Sequence, residues 1–584
     1  MTRTGAVPNS VAPGDNTLAS QPPNMNLLVL GDQLTTRVGP LADATPGEDR
    51  VVLVESAGFA RRKRYHPHKL VLVFAAMRHF RDRLRDGGFD VDYHRVDSFE
   101  AGFREYLGEH PDADLATMRP ASHGAGEALV KTFAAARDAV AAAADDDAAS
   151  DADEADRDAP SARLLVRENE TFLCSPGEFD DWAEGDDGKT PESFRHETFY
   201  RWMRERTGVL VDDGDPVGGE WNFDDENREF PRPEERFPDP PDHGVRDDPV
   251  VREVADWVAS EFETWPPVED GDAIVHGEAP EAGGTHDGGA GLAPFRWPVT
   301  REGALAELDA FVEKRLPAFG PYQDAMIERS WHLNHSLLSP AVNLGLLSSR
   351  ECIDAAVDAY HDPDGPDVEV ASVEGFVRQL LGWREFVRHV YRHRMPEMTD
   401  ANQLDATEDL PDLYWTGDTD MACMASAVGH VRERGYAHHI ERLMLLSNFA
   451  TTYGADPQEL NRWFHLGFVD AYHWVTTPNV VGMGTFASPA LSTKPYVSSA
   501  NYVGKMSDHC ANCAYDPDAT TGDDACPFNA LYWDFLAEHE DDLRSNHRMG
   551  LVYSHVDRKR ENDDLAAVRE RASEVRELGA SGEL

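Results

Sequence analysis

Asn26-Leu-Leu-Val-Leu-Gly31 and Val51-Val-Leu-Val-Glu55 are two short apolar runs near the start of a 584-residue chain. Each is too short for a helix and is followed by polar or turn residues, so each reads as a buried strand. Phe89–Val96 alternates weakly and reads as a third strand. Between the last two lies Lys69–Arg85, with apolar residues on one face and arginines on the other. Asp114–Met118 and Arg163–Arg167 supply a fourth and a fifth strand. Strands that alternate with helices predict a parallel sheet covered on both faces. Neither GxGxxG nor GxxxxGK[ST] follows the first strand, so the dinucleotide and P-loop readings lack their motif.

Outward from this sheet the composition changes. Residues 1–25 lack the apolar core of a signal peptide and read as a disordered extension. An alanine and aspartate tract, Ala134–Pro160, lengthens a helix and then becomes a solvated acidic insertion over about 144–160. The α/β domain is therefore assigned to 26–170. The interval 171–297, with its Pro-, Gly- and acid-rich stretch Pro231–Gly291, reads as an interdomain linker. From Pro298 the periodicity is helical: Leu305, Leu308, Phe311, Val312 and Leu316 share a face, and Pro317 stops that helix. Helical patterns continue through Val373–Arg394 and Ala422–Tyr453. The expected architecture is a Rossmann-like parallel α/β domain followed by a large all-α domain over 298–557. A polar, frayed helical tail is expected at 558–584.

The formal net charge is −52, and lysine occurs only eight times. Such a surface resembles that of salt-loving archaea, because at ~1 M salt the Debye length falls to ~3 Å and self-repulsion is screened. The balance argues against nucleic-acid binding unless a local basic patch exists. No apolar run reaches the roughly 20 residues that span a bilayer, so no membrane partner and a cytoplasmic location are expected.

Three local patterns carry chemistry. Cys510-Ala-Asn-Cys513 is a CxxC, and Cys526 follows after twelve residues with Pro527 behind it. Thiolates at this spacing grip one metal centre, and both closed zinc sites and cubane clusters need a fourth ligand. Cys174, Cys352 and Cys423 are the candidates, and spacing alone leaves zinc and [4Fe–4S] open. The second pattern is an arginine cluster, Arg378, Arg384, Arg388, Arg392 and Arg394, interleaved with Trp383 and Tyr391. Such a mixture suits phosphate contact and base stacking; the alternative is a helix whose arginines pair with neighbouring acids. The third is His438-His439, followed by Arg442.

Taken in order, the motifs Leu30-Gly31-Asp32-Gln33-Leu34, Met77-Arg78-His79-Phe80, Glu220-Trp221-Asn222-Phe223, Gly320-Pro-Tyr322-Gln-Asp324, His335-Ser336-Leu-Leu-Ser339-Pro340, Gly382-Trp-Arg384-Glu-Phe386, His438-His439, Phe468-Val-Asp470-Ala-Tyr472 and the cysteine trio resemble the cryptochrome/photolyase superfamily. More closely they resemble its iron–sulfur branch of bacterial cryptochromes and (6-4) photolyases. The resemblance implies a U-shaped FAD held by Tyr322, Ser336, Ser339, Arg384, Arg442 and Asp470, with Thr476 facing flavin N5. Hydroxyls and backbone N–H groups at helix starts suit its phosphates. It implies Cys423 as the fourth ligand of a [4Fe–4S] cluster with Cys510, Cys513 and Cys526. It implies an electron path through Trp463 and Trp415, with Phe464 where the family usually has an oxidisable aromatic residue between them. A ribityl-lumazine antenna is expected near Gly31, Asp32, Gln33 and Glu55, at the strand ends where α/β folds bind ligands.

The function so implied is light-driven repair of UV-damaged DNA. Electron transfer from photoexcited reduced FAD to a (6-4) photoproduct is expected, with His439 assisted by His438 in proton transfer. Arg378, Arg388 and Arg392 are expected to contact DNA, and the protein to be a monomer. A photoreceptor with the same flavin but no repair activity is the competing expectation. A light-independent iron–sulfur DNA-binding protein is disfavoured by the intact α/β domain.

Overall fold

A computed structural model describes residues 26–148, 161–184, 194–278 and 291–584. The expected N-terminal extension and most of the acidic insertion lie outside the described residues. Five parallel strands, β1 Asn26–Val29, β2 Arg50–Ser56, β3 Asp90–Val96, β4 Leu115–Met118 and β5 Leu164–Arg167, pair in the order β3-β2-β1-β4-β5. Leu27 is in register with Val51, and Asn26 with Leu115.

Alternation along the strands builds two cores. Leu27, Val29, Val51 and Leu53 face the helix Pro67–Asp86, while Leu28, Leu30, Val52 and Val54 face the helices Phe99–Glu109 and Ala125–Ala148. The central positions of these strands, Leu27 to Val29 and Val51 to Val54, are thus all apolar because both faces are covered. The chain runs outward from β1 in both directions, which opens a crevice at the carboxyl ends of β1 and β4. There Gln33 Nε2 donates to the Met118 carbonyl at 3.1 Å, beside a small pocket lined by Val29, Gln33, Thr35 and Met118.

The interval read as a connector carries helices of its own: Pro176–Glu184, His196–Thr207, Pro249–Glu261 and Gly271–His276. In Pro249–Glu261, Asp248 accepts hydrogen bonds from Val250 N and Val251 N. Val251, Val254, Ala255 and Val258 are buried at helical spacing. Trp257 meets Phe74 edge-on at 4.9 Å, and Glu253 pairs with Arg78 at 3.0 Å. This helix therefore covers the sheet domain.

The helical half begins with Arg301–Lys314, capped by Thr300. The continuous helix expected over Ala422–Tyr453 is broken. Ala422–Arg434 ends at Gly435, whose φ is +65°. A Cβ there would meet Val469 at 2.8 Å, so the left-handed turn and the close approach both require glycine. Helical structure resumes at His439 with a π-helical stretch, Glu441–Ser447. A second π-helical stretch, Arg378–Arg384, interrupts the other predicted helix. The C-terminal helix Asp564–Ser581 is packed, not frayed: Val568, Ala572 and Val575 are fully buried, and Arg576 Nε donates to the Tyr453 carbonyl at 2.9 Å. Among the described residues no helix is long and apolar enough to cross a membrane.

Candidate functional site

Two halves of the chain meet where the loop after β1 lies against the helical domain. Leu34 N donates to the Leu344 carbonyl at 2.8 Å. Lys69 is buried, and its Nζ donates to the carbonyls of His465 and Ala471, both at 2.7 Å. Burial pushes this ammonium down to about 7, with the Asp470 carboxylate opposing the shift. Asp470 is the centre of the arrangement. It accepts from Arg442 at 3.1 and 3.0 Å and from the Ser339 hydroxyl at 2.7 Å. Asn343 Nδ2 donates to its backbone carbonyl at 2.9 Å. Arg442 also donates to the Ala437 carbonyl at 2.6 Å and lies over the Phe468 ring at 4.3 Å. Ser339, Arg442 and Asp470, predicted from separate motifs, are thus brought together. Ser336 lies at the same segment, its hydroxyl accepting from Leu338 N.

The Gly435 break divides the double histidine. His438 is fully buried and stacks on His335 with ring centroids 4.8 Å apart. Both of its ring nitrogens lack a hydrogen-bond partner, as does His335 Nε2. Burial holds both imidazoles well below the usual histidine range. His439 is half-exposed, with Nε2 3.4 Å from Asp324 Oδ1. Orphaned buried polar atoms gather in this region: Gln323 Oε1, Asn334 Oδ1, His335 Nε2 and both nitrogens of His438. They stand ready for a polar ligand, because unpaired buried groups are costly. Asp324 and His335 belong to the quoted motifs, yet sequence spacing could not assign them to this cluster.

Arg384 is buried against Phe172 (4.3 Å) and Trp474 (5.1 Å) and pairs with Glu385 at 3.2 Å, leaving Nε without a partner. Thr476 is buried on the helix His473–Asn479, which carries Trp474. Tyr322 packs with Phe237 against Ala325, Ile327 and Leu333. The expected basic patch is not formed. Arg378 is buried and pairs with Asp224 at 2.7 Å. Arg388 is buried over Phe172 at 3.9 Å, and Arg392 pairs with Asp180. Phosphate contact needs free, exposed guanidinium groups, and these are engaged with the protein.

Of the residues expected near an antenna, Glu55 is fully enclosed. Its carboxylate accepts from Arg78 at 2.7 and 3.0 Å, from Arg95 at 3.1 Å and from Tyr93. It pins the sheet and has no room for a ligand. Gln33 lines the crevice beyond β1, while Gly31 lies against Met77 and Val73 of the helix Pro67–Asp86. Desolvation pushes Asp32 up to about 6.

Trp463 is fully buried and Trp415 reaches the surface. Phe464 touches Trp463 at 5.4 Å and stacks on Phe468 at 4.9 Å.

The four cysteines converge from three pieces of chain: helix Ala422–Arg434, the turn His509–Asn512 with Cys513 beyond it, and Cys526 at the start of helix Pro527–Glu538. All four line one small pocket with Met421, Val503 and Phe528. Burial pushes the Cys423, Cys510 and Cys526 thiols up, Cys526 to about 12, and the neighbouring sulfurs add to each shift. Thiolates crowded in an apolar cavity need a cationic centre to compensate them. Among the described residues, the sets of three potential ligand atoms within 4.8 Å of one another are His335–His438–His439 and Asp92–Glu109–His110; the cysteines are not one of them. Zinc at ~2.3 Å from each sulfur would draw them to about 3.8 Å.

A parallel α/β domain docked on a helical half, with a part-buried Arg–Asp pair near the junction, is the architecture of the photolyases and cryptochromes. The family model described as deoxyribodipyrimidine photo-lyase-related protein matches residues 27–267. A (6-4) photolyase of Agrobacterium fabrum is 39% identical over 534 residues, covering 90% of this chain and 94% of that one. An uncharacterized protein of Acanthamoeba polyphaga mimivirus is 33% identical over 128 residues, 21% of this chain and 91% of its own. The fold is similar to that of a cryptochrome from Synechocystis, with a TM-score of 0.54 at 13% identity over 83% of this chain and 86% of that chain. The chain belongs to the photolyase-related family.

Proposed function

We propose that this chain repairs (6-4) photoproducts in UV-damaged DNA with the help of light. The observation that carries this reading is the 39% identity to a (6-4) photolyase along nearly the whole of both chains. FAD, when bound and reduced, would absorb light and supply the electron that opens the lesion. Tyr322, Ser336, Ser339, Arg384, Arg442, Asp470 and Thr476 are the residues proposed to hold it. The orphaned buried atoms at Gln323, Asn334, His335 and His438 fit a polar, many-sided cofactor. Arg442 and Asp470 fix each other's orientation, so charge beside the cofactor is set before light arrives.

His439 is the proton-handling residue of this reading. It is half-exposed, where an extruded base could reach it, and Asp324 stands 3.4 Å from Nε2 to orient the ring. His438 positions this turn through its stack on His335. A damaged base pair is less costly to flip out than a sound one, which favours selection of lesions.

Cys423, Cys510, Cys513 and Cys526 are proposed to hold a [4Fe–4S] cluster: all four line one pocket, and Cys526 is followed by Pro527, as in ferredoxin cluster runs. The crevice at Gln33, next to Gly31 and Asp32 in the chain, is the proposed antenna site for a ribityl-lumazine, without Glu55. A cytoplasmic monomer working at high salt completes the reading. Illumination of the purified protein with DNA carrying a defined (6-4) lesion, in high salt, tests it: restored bases support the proposal, and unrepaired lesions in FAD-loaded protein refute it.

A further inference from the structure

We propose that Trp265, and not Phe464, is the middle station of the route that carries electrons to the flavin site under light. This rests on the FAD reading above. Trp463 is fully buried, 5.8 Å from the Phe468 ring that lies beneath Arg442. Its outward neighbour is Trp265, with ring centroids 5.8 Å apart. Trp265 in turn meets Trp415 edge-on at 5.6 Å, and its Nε1 donates to the Trp415 carbonyl at 3.1 Å. Trp415 is 37% exposed. Three indoles in ring contact therefore run to solvent from the Phe468 ring beneath Arg442.

Trp265 comes from the segment read as a connector, far earlier in the chain than its partners. Its place is built in. A Cβ on Gly467 would meet Trp265 Cζ3 at 3.1 Å, so glycine at 467 keeps room for the indole. The other neighbours of Trp463 serve less well. Phe464 bears a benzene ring, which gives up an electron far less readily than indole. Tyr414, at 5.2 Å, is fully buried, and its hydroxyl donates to the Leu446 carbonyl. A phenol sheds its proton when oxidised, and a backbone carbonyl is no base to receive it.

The electron balance closes with a thiol as reductant. Trp463 gives one electron to the illuminated oxidised flavin. Trp265 refills Trp463, Trp415 refills Trp265, and a thiol in solution refills Trp415. Two passes deliver two electrons. Two thiols become one disulfide and release two protons, of which the reduced flavin takes up one.

The test uses the full FAD-loaded chain, anaerobic, in dithiothreitol under blue light. Trp265→Phe is expected to lose most of its photoreduction, as Trp463→Phe does, while flavin content stays at the parental level. Phe464→Tyr is expected to photoreduce no faster than the parent. In the unaltered chain illuminated without thiol, peptide mass spectrometry is expected to find oxidised indole at Trp415, and Trp265→Phe to abolish it. Photoreduction of Trp265→Phe at the parental rate, or undiminished oxidation of Trp415 in it, overturns the relay. Should Trp265→Phe fail to fold, Trp265→Leu takes its place, and undiminished photoreduction and Trp415 oxidation overturn the relay equally. Purified parent that binds no FAD overturns the flavin reading itself, whereas FAD-loaded parent that does not photoreduce overturns the relay alone.

Discussion

Arg442 grips the Asp470 carboxylate with both terminal nitrogens, at 3.1 and 3.0 Å, while Ser339 donates to the same carboxylate at 2.7 Å. The guanidinium stays in place even without its acid, because Ala437 and Phe468 also hold it. Asp470→Ala therefore leaves a fixed, uncompensated cation. Removing one member of a buried pair costs about 3–5 kcal/mol; Arg442 keeps 25% side-chain exposure, so the lower end is expected. The measurements are denaturant unfolding and the flavin-to-protein absorbance ratio, and both should fall.

Cys423 is buried, as is Cys526, and it comes from a different helix than the other three. Cys423→Ser is expected to lose iron and acid-labile sulfide and to lower the melting temperature, since structural metal binding contributes directly to folding. Stoichiometric zinc without iron in anaerobically purified parent would refute the cluster.

His439→Ala should keep its FAD and still photoreduce, yet leave (6-4) lesions unrepaired. His438→Ala should behave differently. It empties a fully buried position stacked on His335, and large-to-small changes in a core cost about 2–5 kcal/mol. Repair assays on a (6-4) and on a cyclobutane lesion, set beside thermal melts, separate the two roles.

Acid should destabilise this protein before its surface carboxylates are neutralised. Burial lowers His332 and His389 to about 3 and His68 to about 4, and holds His66, His335, His438 and His465 well below the ordinary value of 6.5. Unfolded, these rings take up protons near 6.5, so the unfolded state binds more protons below that pH. Their contribution is present above about 6.5 and is lost as pH falls toward 3–4. Asp32, Glu374 and Glu385 are raised by burial and act in the opposite sense, but seven histidines outnumber three acids. Urea unfolding at constant salt should show lower stability at pH 5 than at pH 7.

Arg388 acts through packing. Arg388→Ala removes the cation over Phe172 at 3.9 Å, a contact worth about 2 kcal/mol when desolvated. The melting temperature should drop, while the salt dependence of DNA affinity stays that of the parent.

The strands were readable because both faces of β1 and β2 are covered, so burial writes itself as unbroken apolar runs. The helix Pro249–Glu261 was hidden by the proline, glycine and acid around it, although Asp248 and the Val251, Val254, Val258 spacing were there to be found. Other readings failed because their cause is distant in the chain. Arg378 and Arg388 look like a basic patch until Asp224 and Phe172 are seen beside them. Gly435 looks like an ordinary helix residue until Val469 fills the space above it. Lys69, whose partners lie near residues 465 and 471, could have been suspected from the scarcity of lysine alone. Among the residues proposed to hold the cofactor, Ser339, Arg442 and Asp470 come from separate motifs, and their meeting follows from the fold and not from their spacing in the chain.

The four sulfurs also impose an order on synthesis. Cys423 emerges from the ribosome more than a hundred residues before Cys526. A centre bound by all four, as proposed above, cannot close until Cys526 has been made. The parallel sheet is complete by Arg167 and has no such wait. One half of the molecule can fold while it is being made; the other must be held open until its last ligand arrives.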